Sequence, residues 1–348
     1  METIDFFANI RSRLLEKRQN LTTWLRAASP QQRELRLGPA TEQEVRSCLH
    51  DLDAAIAKAG DATLGICRVC HDHVNGRLLM MDYTACVCLD HYTSEERRQL
   101  EWELELSQVV QRALLPQDIP EIPGLELAAF SRPAQIVGGD YFDFFQYRDG
   151  AHGVIIADVA GHGISAGLLM ASVQTALRTL APLHSDPGQI VHQLNRFFCH
   201  NVHFTTFVTM FVGRLEPNGR TLSYVNAGHN PPLVLRAKPN GEPLTWLRPT
   251  AAAIGLVEEM DFRPSNTALS PRDLFLFYTD GVTEAADGDG AEFGTQRVAQ
   301  YVTQHAGQPA QDLVAGLYRE IVAFTGGHQL ADDATVIAGR IVGLPQAA

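Results

Sequence analysis

The chain has 348 residues, of which 45% are hydrophobic and 20% charged, a composition typical of globular proteins. Its formal net charge of −12 argues against broad binding to nucleic acid or to anionic membranes. We find no apolar run of the length that a membrane helix needs and no signal-peptide pattern at the N-terminus, so the sequence predicts a cytoplasmic protein without a membrane partner.

Two amphipathic helices are predicted in the first 60 residues. Between residues 4 and 27, apolar side chains such as Phe6, Ile10 and Leu14 recur at spacings of three or four. Thr41 and Glu44 form a capping-box pattern that opens a second helix to about residue 59. Two helices joined by a loop predict an antiparallel hairpin.

A cluster of cysteines follows the predicted hairpin. Its spacing is C-x₂-C-x₁₇-C-x₂-H, formed by Cys67, Cys70, Cys88 and His91. Zinc favours this arrangement because each close pair forms a small chelate and the two pairs complete a tetrahedron. Cys86 is the alternative third ligand; we prefer Cys88 because its spacing to His91 repeats that of the first pair. The pattern predicts one structural zinc ion.

This part of the chain resembles the DksA/TraR family of zinc-finger proteins, which carry a helical hairpin ahead of a zinc finger. The resemblance rests on Leu64-Gly65-Ile66-Cys67-x-x-Cys70, Gly76-Arg77-Leu78 and Cys88-x-x-His91. Family members that act on RNA polymerase carry acidic residues at the tip of the hairpin. The tip here reads Ser29-Pro30-Gln31-Gln32-Arg33-Glu34, without an acidic pair. The resemblance therefore implies a structural or regulatory zinc module over residues 1–92.

A third helix is predicted between this module and the rest of the chain. Thr93 and Glu96 form a second capping box, and Pro116 ends the helix after Leu115. Its broad apolar face can pack on either neighbouring domain or pair with a second copy. We expect residues 93–116 to act as a linker helix, a place for a regulatory protein or a homodimer contact.

From about Pro120 onward, strand-like runs joined by turns replace the helical pattern. Strands are expected over 125–132, 140–147, 153–158, 206–215, 221–226, 231–236, 245–247, 274–278 and 335–341, and helices over 163–180, 187–199, 293–304 and 309–325. Hairpin-linked strands with helices grouped in pairs predict an α+β layered sandwich rather than a doubly wound parallel sheet.

Acidic residues stand beside several of these predicted strand ends. They occur in Gly138-Gly139-Asp140, Asp158-Val159, Thr279-Asp280-Gly281 and Asp332-Asp333. Mg²⁺ and Mn²⁺ prefer carboxylate oxygens, and two such ions can activate a water for attack on phosphorus. The chain has neither a G-x-S-x-G elbow nor a cysteine in a phosphate-cradling loop. These features favour a metal-dependent phosphatase without a protein nucleophile.

Residues from about 112 to 341 resemble the SpoIIE/RsbU branch of the metal-dependent protein phosphatases, the PPM family. The matching motifs are Gln111-Arg112-Ala113-Leu114-Leu115-Pro116, Gly138-Gly139-Asp140-Tyr141-Phe142-Asp143, Ala157-Asp158-Val159-Ala160-Gly161-His162-Gly163, Asn226-Ala227-Gly228-His229-Asn230-Pro231-Pro232, Tyr278-Thr279-Asp280-Gly281-Val282-Thr283-Glu284 and Asp332-Asp333-Ala334-Thr335. The resemblance implies an α/β/β/α sandwich phosphatase domain over residues 117–343.

The same resemblance implies two Mn²⁺ or Mg²⁺ ions. Their ligands would be Asp140, Asp158, the carbonyl of Val159, Asp280 and Asp332, with Asp333 as the alternative to Asp332. It also implies the substrate, a phosphoserine or phosphothreonine on an anti-sigma factor antagonist in a partner-switching pathway.

Other roles stay open at this point. His162 is a candidate general acid, although it lies four residues after Asp158 where many eukaryotic relatives have a spacing of two. His229 is expected to hold a turn, and Arg132 is a candidate phosphate ligand. Gly-Gly-Asp also resembles a diguanylate cyclase signature, but Tyr141 replaces its acidic residue. The alternatives from other classes are a silent phosphoprotein-binding module and a zinc-hairpin transcription regulator.

Overall fold

The structure is a computed structural model that describes residues 10–12, 14, 15, 18, 19, 22, 42–61, 63–74, 88, 91, 93–161, 163–201, 207–217, 219–237, 243–328 and 330–343. The predicted hairpin tip, the Gly76-Arg77-Leu78 motif, Cys86 and His162 lie outside the described residues. The chain divides into one compact unit over residues 1–103 and a second over 104–348.

The first unit is helical, with a small apolar core. Positions 10–12, 14, 15, 18, 19 and 22 are helical, and α1 spans Glu42–Gly60. Ile10, Leu14 and Leu52 are buried together with Cys67 and Val74. The helical periodicity of the sequence thus places its apolar stripe inward. The next helix, α2, spans Ser94–Leu114, and the division between the two units falls within it.

The second unit contains two antiparallel sheets of five strands each in the described part of the chain. One sheet has the order β1-β10-β9-β6-β7 and the other β2-β3-β4-β5-β8. The strands are β1 Leu125–Arg132, β2 Tyr141–Gln146, β3 His152–Val159, β4 Val208–Leu215, β5 Thr221–Ala227, β6 Leu233–Leu235, β7 Leu244–Trp246, β8 Ser265–Ala268, β9 Leu274–Tyr278 and β10 Ala334–Ile341.

Five helices accompany the sheets in this part of the chain. They are α3 Ile164–Leu180, α4 Pro187–Asn201, the single turn α5 Asp280–Thr283, α6 Gly294–Gln304 and α7 Ala310–Phe324. One apolar cluster joins β2–β4 to α3 and α4, and another joins β9 and β10 to α6 and α7. A third cluster lies between the sheets. The order of layers is helices, sheet, sheet, helices, which confirms the predicted α/β/β/α sandwich.

The two faces of each strand follow the alternation of its side chains. In β3, Ile155 and Ala157 belong to the helix-facing cluster, whereas Ile156 belongs to the cluster between the sheets. In β9, Phe275 and Phe277 face the other sheet. Successive side chains of a strand point to opposite faces. The residues two positions beyond Ile156 and Phe277 therefore lie on the face that points towards the other sheet.

Two elements of the second unit were not predicted. Strand β8 reads Ser-Asn-Thr-Ala and pairs with β5 at the edge of its sheet, so its place depends on backbone pairing and not on an apolar pattern. Residues 280–283, for which the sequence predicted no helix, form one helical turn, α5, after β9.

Helix α3 and the turn after it, Ile164–Leu183, are long and apolar enough to cross a membrane by length and composition alone. The sequence predicted no membrane-spanning segment. In the structure, Met170, Val173 and Leu177 of α3 are fully buried in the cluster that covers the β2–β3 sheet. One face of α3 therefore belongs to the core, whereas Ile164 and Leu168 are exposed.

Candidate functional site

Acidic side chains from both sheets meet at one edge of the sandwich. They are Asp140 before β2, Asp158 near the end of β3, Asp280 at the start of α5, and Asp332 and Asp333 before β10. Besides burial, the negative charges of three acids on the opposite sheet and of Glu284 raise the pKa of Asp158. The fold thus brings together the carboxylates that the sequence analysis singled out.

The site concentrates negative charge in a partly buried place. Burial raises the pKa of Asp140 well above its ordinary value, and the charges of Asp158 and Asp333 raise it further. Burial, followed by repulsion from the neighbouring acids, raises the pKa of Asp158 to about 7. Burial also raises the pKa of Asp280. Crowded carboxylates that repel one another form a donor set that fits hard divalent cations.

Asp140 is anchored by two threonine hydroxyls. Its Oδ2 accepts hydrogen bonds from Thr279 Oγ1 at 2.8 Å and from Thr335 Oγ1 at 2.6 Å. Both threonines are fully buried. Both threonines belong to sequence motifs, but no role was predicted for them. A signal was present, because each lies two positions from Phe277 or Ile337, whose side chains face the other sheet.

Asp333 and Asp332 have different surroundings. Asp333 is buried, and its Oδ1 and Oδ2 accept the backbone N–H groups of Ala134 at 2.7 Å and Gly139 at 2.6 Å. Asp332 is half-buried, and its Oδ1 accepts the N–H of Asp333 at 2.8 Å. Both oxygens of Asp333 are thus engaged in holding the loop that leads to Asp140.

Close backbone approaches shape the site. A Cβ atom on Gly139 would lie 2.9 Å from the carbonyl oxygen of Val159, so this carbonyl faces the loop beside Asp140. A Cβ atom on Gly138 would overlap the carboxylate of Asp333, and one on Gly281 would overlap its carbonyl oxygen. The glycines of these motifs are required because their neighbours occupy the space of a side chain.

Gln111 joins the end of α2 to the same loop. Its Nε2 donates to the carbonyl of Gly138 at 2.5 Å, and its Oε1 accepts the N–H of Gly138 at 3.0 Å. The side chain is buried. Gln111 belongs to a sequence motif, but its role could not be predicted because the contact spans 27 residues of sequence.

The second Asp of the Gly138–Asp143 motif has a structural environment. Asp143 is buried and accepts hydrogen bonds from Tyr141 Oη at 2.6 Å, Arg178 Nη2 at 2.6 Å and the N–H of Phe144 at 2.7 Å. Its side chain lies on the helix-facing side of β2 with Tyr141. It therefore ties α3 to β2 and points away from the acidic cluster.

The other candidates occupy different positions. His229 is buried, its Nδ1 lies 2.9 Å from Thr209 Oγ1, and its N–H donates to Asn226 Oδ1. Burial lowers the pKa of His229 to about 4, so the imidazole is neutral near pH 7 and holds a turn. Arg132 is exposed and donates to Tyr318 Oη at 2.6 Å.

The first unit brings a second set of predicted ligands together. One ligand atom each from Cys67, Cys70, Cys88 and His91 lies within 4.8 Å of all the others. Among the described residues, this is the one group of at least three such side chains with that spacing. No three of the described carboxylates in the second unit have ligand atoms this close together.

The cysteine environment favours a thiolate at Cys67. Although burial of its thiol raises the pKa, the backbone N–H groups of Cys70, Cys88 and Val69 lower it to about 6. Burial and the two neighbouring sulfurs raise the pKa of Cys88 to about 12. Two thiolates this close repel each other, and a bound cation would remove that cost. The donor set fits zinc.

Comparisons with known proteins identify relatives of the second unit. The family model described as Stage II sporulation protein E (SpoIIE) matches residues 148–342, more than half of the chain. The phosphoserine phosphatase RsbU of Bacillus subtilis (strain 168) is 28% identical over 244 residues, which are 70% of this chain and 71% of RsbU. The family-model match begins after the Gly138–Asp143 motif.

Solved structures with the same fold agree with this result. The SiaA-PP2C domain of Pseudomonas aeruginosa superposes with a TM-score of 0.61 and 23% identity, covering 71% of this chain and 99% of that domain. A structure of the RsbU and RsbW domains of Rv1364c from Mycobacterium tuberculosis has a TM-score of 0.54 and 26% identity, covering 65% of this chain and 62% of that one.

The contact at Gly281 leads to a first prediction. In Gly281→Ala, the added methyl group must displace the backbone of Asp333, so we expect the free energy of unfolding to fall by about 1–3 kcal/mol. Gly288→Ala is the matched control, because nothing lies within 4 Å of its Cβ position. Urea unfolding measures both variants. Equal stability of the Gly281→Ala variant and the parent chain would contradict this packing.

Proposed function

The chain belongs to the SpoIIE family, and we propose that it hydrolyses phosphoserine or phosphothreonine on a partner protein by means of two Mn²⁺ or Mg²⁺ ions. The observation that carries the proposal is the meeting of carboxylates from both sheets at one edge of a PP2C-like sandwich. The sequence and the fold are both similar to those of known phosphatases, and the carboxylates at this edge are suited to hard cations.

Some residues of the site would bind the ions, and others would hold those ligands in place. Asp140, Asp158, Asp280 and Asp332 would hold the ions, together with the carbonyl of Val159. We assign Asp332 rather than Asp333 because both oxygens of Asp333 already accept backbone N–H groups. When bound, the ions supply an activated water and offset charge on the phosphoryl oxygens. By holding the ions, the carboxylates would position that water, so no protein nucleophile would be required.

Two relatives support a proposal for the substrate. RsbU is a phosphoserine phosphatase, and the Mycobacterium tuberculosis structure contains an RsbU domain together with an RsbW domain. We propose that the substrate here is the phosphorylated form of an anti-sigma factor antagonist. The cytoplasmic location expected from the sequence remains a prediction.

Metal dependence tests the proposed activity. We expect hydrolysis of a phosphoserine peptide and of p-nitrophenyl phosphate with Mn²⁺ or Mg²⁺, and none with EDTA. Asp280→Asn should lower kcat by at least about 100-fold, because loss of a ligand exceeds the 10–100-fold effect of outer-shell changes. Asp289→Asn, an exposed acid on a turn, is the control. Turnover that persists in EDTA would exclude the two-metal reaction.

We also propose that the N-terminal module regulates the phosphatase through α2. The support is the pair of hydrogen bonds between Gln111 and Gly138, two residues from Asp140. Leu106, Val109 and Val110 of α2 are exposed, with 45%, 62% and 53% of their surface accessible. An apolar helix face of this kind suits a regulatory protein or a second copy of the chain.

Gln111→Leu tests this route. We expect Mn²⁺ affinity to fall by about 10-fold, because the loop before Asp140 loses both of its hydrogen bonds to α2. Gln99→Leu, at an exposed position of the same helix, should leave the affinity unchanged. Calorimetric titration with Mn²⁺ measures both. A Gln111→Leu variant with parental Mn²⁺ affinity and parental kinetics would argue against α2 as the regulatory element.

We propose finally that Cys67, Cys70, Cys88 and His91 hold one structural zinc ion. Their ligand atoms lie within 4.8 Å of one another, and Cys67 favours the thiolate form that zinc requires.

Metal analysis of purified protein tests the zinc site. The parent chain should contain about one zinc per chain, and Cys67→Ser should contain much less and unfold at a lower temperature. Cys199→Ser, which changes a buried cysteine in the second unit, is the control and should retain the zinc. Equal zinc content in the two variants would reject this ligand set.

A further inference from the structure

We propose that Thr279 and Thr335 are positioning residues that orient the carboxylate of Asp140 for its metal ions. This inference rests on the two-metal site proposed above. It assigns a role to two side chains that are closed to solvent. Both are fully buried, and Asp140 is 5% exposed.

The direction of every hydrogen bond in the cluster can be worked out. A carboxylate only accepts, and each threonine hydroxyl has a single proton. Thr335 Oγ1 lies 2.6 Å from Asp140 Oδ2 and therefore donates to it. Since its proton is used, Thr335 Oγ1 must accept from Ser131 Oγ, 2.8 Å away.

Thr279 completes the cluster from the neighbouring strand. Its hydroxyl lies 2.8 Å from Asp140 Oδ2 and 3.4 Å from the carbonyl of Asp333, so the shorter bond takes the proton. The same oxygen accepts the backbone N–H of Thr335 at 3.0 Å. Each hydroxyl therefore accepts from one donor and donates to Asp140, an arrangement in which hydrogen bonds strengthen one another.

Two donors on one oxygen fix the carboxylate. Oδ2 of Asp140 carries both hydroxyl contacts, and Oδ1 makes no hydrogen bond to the described part of the chain. The plane of the carboxylate is thus set, with one oxygen left for a cation.

The contacts also join the two sheets. Asp140 precedes β2 of one sheet, whereas Thr279 follows β9 and Thr335 lies in β10 of the other. Thr279 adjoins Asp280, and its N–H donates to the carbonyl of Thr335 at 3.1 Å. The sheet that contains β9 and β10 therefore supplies both Asp280 and the two threonine hydroxyls, and these hydroxyls orient Asp140 of the other sheet.

Mn²⁺ titration of the full-length chain by calorimetry tests the proposal. Thr279→Val and Thr335→Val should each weaken Mn²⁺ binding by about 10–100-fold, as outer-shell changes at metal sites do. Thr279→Ser and Thr335→Ser keep the hydroxyl and should bind within about 3-fold of the parent. The control is Thr325→Val, which removes a buried hydroxyl that caps α7.

The readouts separate a positioning role from a structural one. Thermal unfolding of the metal-free variants reports the structural cost, and Mn²⁺ affinity reports the orientation of Asp140. Valine variants that fold and bind Mn²⁺ as tightly as the parent would overturn the proposal. If a valine variant does not fold, Ser131→Ala replaces it, with a several-fold weaker affinity expected and an unchanged one overturning the proposal. A parent chain that binds no Mn²⁺ would instead refute the proposed function.

Discussion

The apolar layer between the two sheets determines where the acids of the second unit lie. Phe142, Ile156, Phe277 and Ile337 pack within that layer from four different strands. Two positions along each strand, on the same face, stand Asp140, Asp158, Thr279 and Thr335. Because side chains alternate along a strand, closing the aromatic layer brings these four polar residues to one edge without any attraction among them.

Repulsion among those acids opposes this arrangement. At Asp140 and Asp333, the hydrogen bonds that offset the repulsion come from neutral donors and not from basic side chains. Backbone N–H groups of Ala134 and Gly139 bind Asp333, and threonine hydroxyls bind Asp140. Neutral donors orient a carboxylate while leaving its charge available to a cation. An arginine in the same place would stabilise the metal-free fold better but would compete with the ions for the carboxylate oxygens.

Local pattern predicted much of this molecule, and long-range contacts account for what it did not predict. Strand β1 and strand β9 have the predicted bounds, because their apolar residues alternate between flanking turns. The polar edge strand β8 carries no such signal. The acids could be predicted because motifs mark them, but the partners of Asp140 lie 139 and 195 residues away in sequence. The alternation of side chains places both threonines on the inter-sheet face, but only the packing of the two sheets identifies Asp140 as their partner.

The loop from Gly138 to Asp140 is the most heavily supported part of the site. Gln111 binds it from α2, Asp333 binds it from the loop before β10, and the two threonines bind its last carboxylate. Asp158 and Asp280 belong to other segments and make no contact of this kind with α2 in the described residues. A displacement of α2 would therefore act on Asp140 before any other acid. Regulation by this route would change the affinity for metal ions first, and substrate turnover as its consequence.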